Sequence, residues 1–420
     1  MASQEQRDAA GRAAYQQASA RPAATRKRVV AKRPAGKRPA GVPRKGKKSV
    51  SRKRPGWLKF LRILFFLLSL ATAVALCVTA YAGNMSPVLN SGIWGILPLC
   101  FAPAAAAAVA MLLIQLGWNR PGWLVVALGM VISAGPLLSL CPLHIFSPSV
   151  TKNSEPLTVL TYNVHNFNLN AETSGRDISR YILEQNADVV CLQESSSEFW
   201  SYVPKALRDS IHKEYPYIFH GGYAQTTLSK YPLKPIHINL NRSNFGGGDV
   251  AIYHLSMPDG RIVTLFNVHL ESYELNGEDR EIFKNLTEMK REDPSEVRRH
   301  LLDKLLRASR ERASQARQLT RYVRLYGGPN VIIAGDFNDV PDCYTIRMLE
   351  NECGFSDVYP KVGFGPMVTY NQSRFYFCID HLMYRGALKP ISLKKGSLKA
   401  SDHYPLMVTF ALKEQKVIKE

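Results

Sequence analysis

Asn330-Val331-Ile332-Ile333-Ala334-Gly335-Asp336-Phe337-Asn338 is the stretch that decides how this chain is read. Val331 to Ala334 has the apolar, β-branched character of a strand buried on both faces, and the polarity changes abruptly at Asp336. On extended backbone Asp336 and Asn338, two apart, point to the same side. The shape recurs along the chain: Leu157 to Tyr162 runs into Asn163, Ala187 to Gln193 into Glu194, Ile262 to Val268 into His269, and Cys378-Ile379 into Asp380. Gly175 to Asn186 reads as a helix between the first two. Strands alternating with helices and turns from about Pro156 to Leu412 predict an α/β domain. In layered α/β folds ligands bind where strands end, because side chains leave the packed interior there on a rigid scaffold.

The rest of the chain differs from this domain in composition. At 420 residues it is too long for one ordinary core, and its formal charge of +20 is unevenly spread. Residues 1–56 hold 17 Lys or Arg against two acids, Glu5 and Asp8, so the part beyond residue 150 is close to neutral. The basic pI of 9.6 therefore does not by itself assign nucleic acid to the α/β domain. The basic segment nearly repeats itself as Lys32-Arg33-Pro34-Ala35-Gly36 and Lys37-Arg38-Pro39-Ala40-Gly41, and with few apolar groups it is expected to be disordered. Two readings stay open for it: an arm that contacts anionic lipid or nucleic acid, or a solvated tail whose charge fixes orientation in a membrane.

Three uncharged runs follow, about Leu61 to Ala82, Ile93 to Leu116 and Pro121 to Leu140, each long enough at about 1.5 Å per residue to cross a hydrocarbon core. A cleaved signal peptide does not fit, because the first run is too long and two more follow it. Pro98, Pro103 and Pro136 keep open the alternative of buried soluble helices, although neighbouring helices in a membrane absorb such breakers. The basic flank predicts a cytoplasmic N-terminus, and three crossings then place everything after about Ser147 on the far side, periplasmic or extracellular. The expected organisation is a tail over 1–56, a membrane region over 57–146 and the α/β domain over 150–415. The seven cysteines form no metal-ligand spacing, and apart from a potential Cys343–Cys353 bridge they read as buried or unpaired thiols.

Tyr162-Asn163-Val164, Leu192-Gln193-Glu194, Asn267-Val268-His269-Leu270, Gly335-Asp336-Phe337-Asn338, Ile379-Asp380-His381 and Ser401-Asp402-His403 together resemble the ordered signature of the endonuclease/exonuclease/phosphatase superfamily. Each motif alone is weak; six in order, each after a strand-like run, are specific. The resemblance covers residues 157–411 and implies a four-layer α/β sandwich of two packed mixed sheets flanked by helices. It also implies a divalent metal, Mg²⁺ or in its place Mn²⁺. The apolar leader is similar to that of membrane-tethered bacterial members, which implies a multi-pass protein of the inner membrane.

Cleaving a phosphate ester needs an activated water, neutralised equatorial oxygens and a stabilised leaving oxygen. Glu194, a hard carboxylate, is the principal candidate metal ligand, with Asp402 near the metal. The resemblance implies that Asp336 positions or activates water and that Asn338 and Asn163 hold phosphate or metal. It further implies that Asp380 orients His403 and that His269 binds phosphate or assists the leaving group. Whether His403 acts as base or as cationic clamp stays open. Cys378 stands where many members have Arg, and His381 replaces the usual aromatic. Leu228-Ser229-Lys230-Tyr231-Pro232-Leu233 reads as a structural turn. Between Glu271 and Gly327, Arg298, Arg299, Lys304, Arg307, Arg310, Arg312, Arg317 and Arg321 interleave with leucines at helical spacing. They present either a solvated helix face or a basic face that guides a polyanion or rests against anionic lipid headgroups. Phosphodiester hydrolysis of a nuclease-like kind is the leading expectation. The alternatives are phosphomonoester or lipid-headgroup hydrolysis, and a membrane-anchored binding module without activity.

Overall fold

The computed structural model describes residues 55–89, 92–144, 156–170, 172–238, 245, 247–273, 279, 281, 295–372 and 375–412. The expected tail, 1–56, lies outside them except for Pro55 and Gly56. In the α/β domain, β1 (Pro156–Asn163), β2 (Val189–Gln193), β3 (Tyr217–Gly221), β4 (Gln225–Ser229), β13 (Leu388–Lys395) and β14 (Leu406–Leu412) form one sheet in the order β13-β14-β1-β2-β4-β3. The second runs β5-β6-β7-β8-β12-β9, from β5 (Leu233–Ile236), β6 (Asp249–Ser256), β7 (Ile262–His269), β8 (Val331–Asp336), β9 (Ser356–Asp357) and β12 (Asp380–Arg385). A short hairpin joins β10 (Tyr370–Gln372) to β11 (Phe375–Phe377). Both large sheets are mixed, with β1–β2 and β7–β8 the parallel pairs. Leu228 to Leu233, expected to be structural, carries the chain from β4 in one sheet to β5 in the other.

The strand sequences look apolar throughout because each sheet is covered twice. Leu157 and Val159 of β1, Val189 and Cys191 of β2, Val263 and Leu265 of β7 and Ile332 and Ala334 of β8 share the core between the sheets. The alternate residues face helices. Leu160, Tyr162, Val190 and Leu192 meet Ile178 and Ile182 of α5 (Ser174–Gln185) and Ile211 of α6 (Lys205–Glu214). Phe266, Val268 and Ile333 meet Leu319 and Val323 of α7 (Ser295–Tyr326) and Ile346 and Leu349 of α8 (Tyr344–Cys353). This is the four-layer sandwich the sequence implied, and each fully buried side chain of this size contributes about 1.5–3 kcal/mol.

The inter-sheet faces change character along each strand with period two. On β1 the series is Leu157, Val159, Thr161, Asn163; on β7 it is Val263, Leu265, Asn267, His269; on β8 it is Ile332, Ala334, Asp336. Halfway up, Gln193 Nε2 donates to Asn267 Oδ1 (2.7 Å) and to Thr161 Oγ1 (3.1 Å), so a buried amide bridge ties the sheets together beneath the strand ends. Gly335 lets β8 approach β7 closely, since a side chain there would meet the Val268 carbonyl.

The expectation for Asp380 changes. Asp380 opens β12 rather than ending a strand, and because β12 is antiparallel to β8, its start lies beside the end of β8, with Asp380 opposite Asp336. His381 consequently points the other way. Its Nδ1 is 2.9 Å from Asp357 Oδ2 and its Nε2 3.0 Å from the Asp339 carbonyl, so both ring nitrogens meet acceptors. Burial works against charge there, but Asp357 outweighs it and the imidazole titrates above its ordinary value. The unfolded value is about 6.5. Relative to a neutral His381→Gln/Asp357→Asn pair, the wild-type margin should be complete below about pH 6.5 while Asp357 is ionised, then decline by about 1.4 kcal/mol per pH unit until the folded value is passed. Denaturant titrations at several pH values measure this, and a margin that grows with pH would refute it.

Cys343 and Cys353 are free and stand at opposite ends of α8, about 15 Å of helix apart, beyond disulfide reach. Arg312, expected on a basic helix face, is instead buried: its guanidinium donates to the Glu271 carbonyl (2.9 Å), pairs with Asp339 (3.4 Å) and lies over the Tyr273 ring.

In the N-terminal region, α1 (Gly56–Tyr81) and the run Ile93–Gln115, which ends in α2 (Phe101–Gln115), are long and apolar enough to cross a membrane. The third expected span is broken: α3 (Arg120–Ile132) and α4 (Ala134–Leu140) meet at 69°. Pro136 accounts for the break, because in a continuous helix its ring would clash with the Ile132 carbonyl. Leu76, Ala108 and Val126 pack the three helices together, while Phe60, Leu67, Val74 and Leu113 remain exposed. One end of this bundle rests on the α/β domain. Leu99 packs on the core beneath α7 and α8, Gly83 abuts the Asp342 carbonyl, Tyr359 donates to the Leu140 carbonyl (3.2 Å), and His144 Nε2 is 2.8 Å from the Pro360 carbonyl.

Candidate active site

The polar ends of the inter-sheet faces meet at one edge of the sandwich. Asn163 sits at their centre, its Nδ2 donating to Glu194 Oε1 (2.9 Å) and Asp336 Oδ2 (3.0 Å). Asp336 is also fixed by the Asn338 backbone N–H, which donates to Oδ1 (2.8 Å). His403, just before β14, is brought beside β8 because β14 is antiparallel to β1. Its Nδ1 is 2.9 Å from Asp380 Oδ2 and its Nε2 is 3.5 Å from Asp336 Oδ2, and Tyr370 packs edge-on against the ring. His269 Nε2 lies 3.7 Å from Glu194 Oε1 and 3.8 Å from Asp336 Oδ2.

All eight sequence-derived candidates therefore fall in one place: Asn163, Glu194, His269, Asp336, Asn338, Asp380, Asp402 and His403. Asn338 differs in detail, since its side-chain amide already donates to the Leu270 carbonyl (3.0 Å). A ninth residue joins them. His165 Nδ1 stands 3.6 Å from both Glu194 Oε2 and Asp402 Oδ1. Its signal in the sequence was its place two residues beyond the end of β1. His165, Asn166 and Phe167 all have positive φ, at 45°, 55° and 56°, a run that costs about 1–3 kcal/mol per residue. Phe167 anchors the turn against Trp200, and the Asn166 N–H donates to the Glu194 carbonyl (2.9 Å). Glu194 itself has φ 49°, which turns it out of β2.

The electrostatics divide the site in two. Around His403 burial disfavours charge, but Asp380 and Asp336 outweigh it and push the imidazole up to about 10, so it is an imidazolium at neutral pH. Burial raises Asp336 despite the neighbouring imidazoles. Glu194 goes the other way: burial opposes its charge, yet His165, His269 and Asn163 hold it down to about 2. The neighbouring Glu194 carboxylate in turn raises His165, against a smaller opposing contribution from burial.

Among the described residues Asp336, Asp380 and His403 form the tightest group of ligand-type atoms, within 4.8 Å of one another. His403 Nδ1 is already engaged by Asp380, however, so that trio is better described as a hydrogen-bonded relay. Glu194 and Asp402 face the open side with hard oxygen donors, and no Lys or Arg is among the described residues lining the cleft. That donor set fits a small divalent cation such as Mg²⁺. The cleft above encloses about 240 Å³ and is lined by polar groups, among them Glu194, Asp336 and His403, and by apolar ones, among them Leu99, Leu305 and Phe377.

The profile described as "Endonuclease/Exonuclease/phosphatase family" matches residues 160–403, more than half of the chain. No match was found among curated proteins. Solved structures similar to this chain include an endonuclease/exonuclease/phosphatase family protein from Bacteroides thetaiotaomicron, with 14% identity over 62% of this chain and 100% of that one and a TM-score of 0.44. Another is D. rerio TDP2 complexed with a single-strand DNA product, with 18% identity over 61% of this chain and 99% of that one and a TM-score of 0.42.

Proposed function

The chain belongs to the endonuclease/exonuclease/phosphatase family, a family of hydrolytic phosphoesterases, and from that we propose a divalent-metal-dependent phosphodiesterase anchored in a membrane by its N-terminal helices. The observation that carries the reading is the His403 imidazole held between Asp380 and Asp336, in one cleft with Glu194 and Asp402. A silent binding module would have no need to keep this set together at the cost of burying Asp336 and Asp380.

Glu194 and Asp402 hold the metal, with Asn163 fixing the Glu194 carboxylate; when bound, the ion neutralises charge on the phosphate and at the departing oxygen. His403, aimed by Asp380, grips a non-bridging phosphate oxygen, a clamp role that its raised pKa favours. Asp336, held by Asn163 and the Asn338 N–H, takes the proton of the attacking water. The water oxygen bonds to phosphorus as one P–O ester bond breaks, yielding a phosphomonoester and an alcohol, and His269 at the rim supplies the alcohol's proton. The second N–H of the Asn338 amide is left for a substrate oxygen. The uncharged loop at Gly83 and the exposed apolar faces of α1 and α2 support an anchored topology with the basic N-terminus cytoplasmic, and counting the bent pair α3–α4 as a third crossing puts the α/β domain on the opposite side.

The test is hydrolysis by the full chain in detergent micelles of bis(p-nitrophenyl) phosphate and of p-nitrophenyl phosphate. We expect Mg²⁺-dependent turnover of the diester in clear excess over the monoester. Excess turnover of the monoester would replace this reading with a phosphomonoesterase.

A further inference from the structure

The apolar lining of the cleft has no part in the chemistry above, and one of its residues comes from an unexpected place. Leu99 belongs to the turn Leu97–Cys100, directly before α2 and inside the run Ile93–Gln115 that is long and apolar enough to cross a membrane. It lines the same cleft as Glu194, Asp336 and His403, together with Leu305 of α7 and Phe375 and Phe377 of the β10–β11 hairpin. The reacting groups thus open toward the end of the helix bundle that rests on the domain. That end is where a bilayer surface would lie.

α7 is net basic along its length, although Arg312 is buried against Asp339 and Lys304 is paired with Asp279. The helical turn Ile93–Ile96 packs against α7, which carries nine Lys or Arg against three acids, and Arg310 stands beside Gly92. Cationic side chains at the level where helices leave a membrane favour an anionic headgroup layer. Leu99 and Leu305 offer methylene chains an aliphatic surface; Phe375 and Phe377 suit either a chain or a stacked base, and the oligonucleotide arm of the test separates the two.

We infer that the substrate is an anionic phospholipid taken from the bilayer that holds the chain, with its phosphodiester over Glu194, Asp336 and His403 and the adjoining hydrocarbon against Leu99, Leu305, Phe375 and Phe377. This rests on the phosphodiesterase reading of the site. The step is unchanged: water adds to phosphorus, one P–O ester bond breaks, and a phosphomonoester and an alcohol leave.

The full chain is reconstituted with Mg²⁺ in phosphatidylglycerol vesicles, and product release is compared with that from deacylated glycerophosphoglycerol, bis(p-nitrophenyl) phosphate and a single-stranded oligonucleotide. The wild type should prefer the acylated lipid over its deacylated form by at least about tenfold, and Leu99→Ser or Phe377→Ser should each cut the ratio of lipid to small-diester kcat/KM by about tenfold. Equal turnover of acylated and deacylated substrates, or an unchanged ratio in both variants, overturns the lipid assignment, as does cleavage of the oligonucleotide without the lipid. If the small diester is cleaved and the lipid is not, only this inference falls. If none of the four is cleaved, the phosphodiesterase reading falls and takes the inference with it.

Discussion

His403→Ala is expected to lower phosphodiester turnover by about a thousandfold, in the range that a positioned acid–base or clamping group contributes. The loss should come with a stability penalty, which distinguishes this site from an exposed catalytic histidine. Asp336 and Asp380 are each 1% exposed, and their shared counter-ion is the imidazolium. Removing one partner of a buried ion pair costs about 3–5 kcal/mol. Asp380 is already poorly provided, since its Oδ1 has no hydrogen-bond partner. Adding Asp380→Asn to His403→Ala should therefore restore part of the melting temperature and none of the turnover. Kinetics on bis(p-nitrophenyl) phosphate and thermal melts of the same preparations measure both; turnover within about tenfold of wild type in the single variant would remove His403 from the reaction.

Glu194→Gln should fail differently. The replacement preserves shape and an acceptor for Asn163, but removes a charge that its neighbours hold ionised down to about pH 2. The half-saturating Mg²⁺ or Mn²⁺ concentration should rise by about 10–100-fold or more, the range found even for residues that only support a ligand. Raising the metal concentration should then recover part of the activity. EDTA should abolish wild-type turnover and added Mg²⁺ restore it, whereas no metal concentration should rescue His403→Ala. A Glu194→Gln variant with wild-type metal dependence would move the ion elsewhere, with the Asp336–Asp380–His403 group the next candidate.

The strands were legible because burial on both faces leaves long apolar runs, and their polar ends marked the site at Asn163, Glu194, His269 and Asp336. Strand direction was not legible. Asp380 follows Cys378 and Ile379, which look like the end of a strand, but those two lie outside β12, and only its antiparallel pairing with β8 puts a strand start at the site. His165 escaped notice because its position depends on three successive left-handed residues, none of them glycine, and no periodicity encodes such a turn. Arg312 lies within a basic helix, and helical spacing alone does not tell a solvated guanidinium from one buried over Tyr273. Pro136 was visible as a breaker; that it divides the run into two helices at 69° depends on what α3 and α4 pack against.

The antiparallel arrival of β14 also bears on when the enzyme comes into being. That strand lies inside its sheet, between β13 and β1, and the turn leading into it delivers Asp402 and His403. A chain growing from the ribosome would have made Asn163, Glu194 and Asp336 long before these two residues emerged. Until then the first sheet has a gap next to β1, and Asp380 has no imidazole to aim. The cleft therefore has its full set of side chains only once β14 has been inserted between β13 and β1.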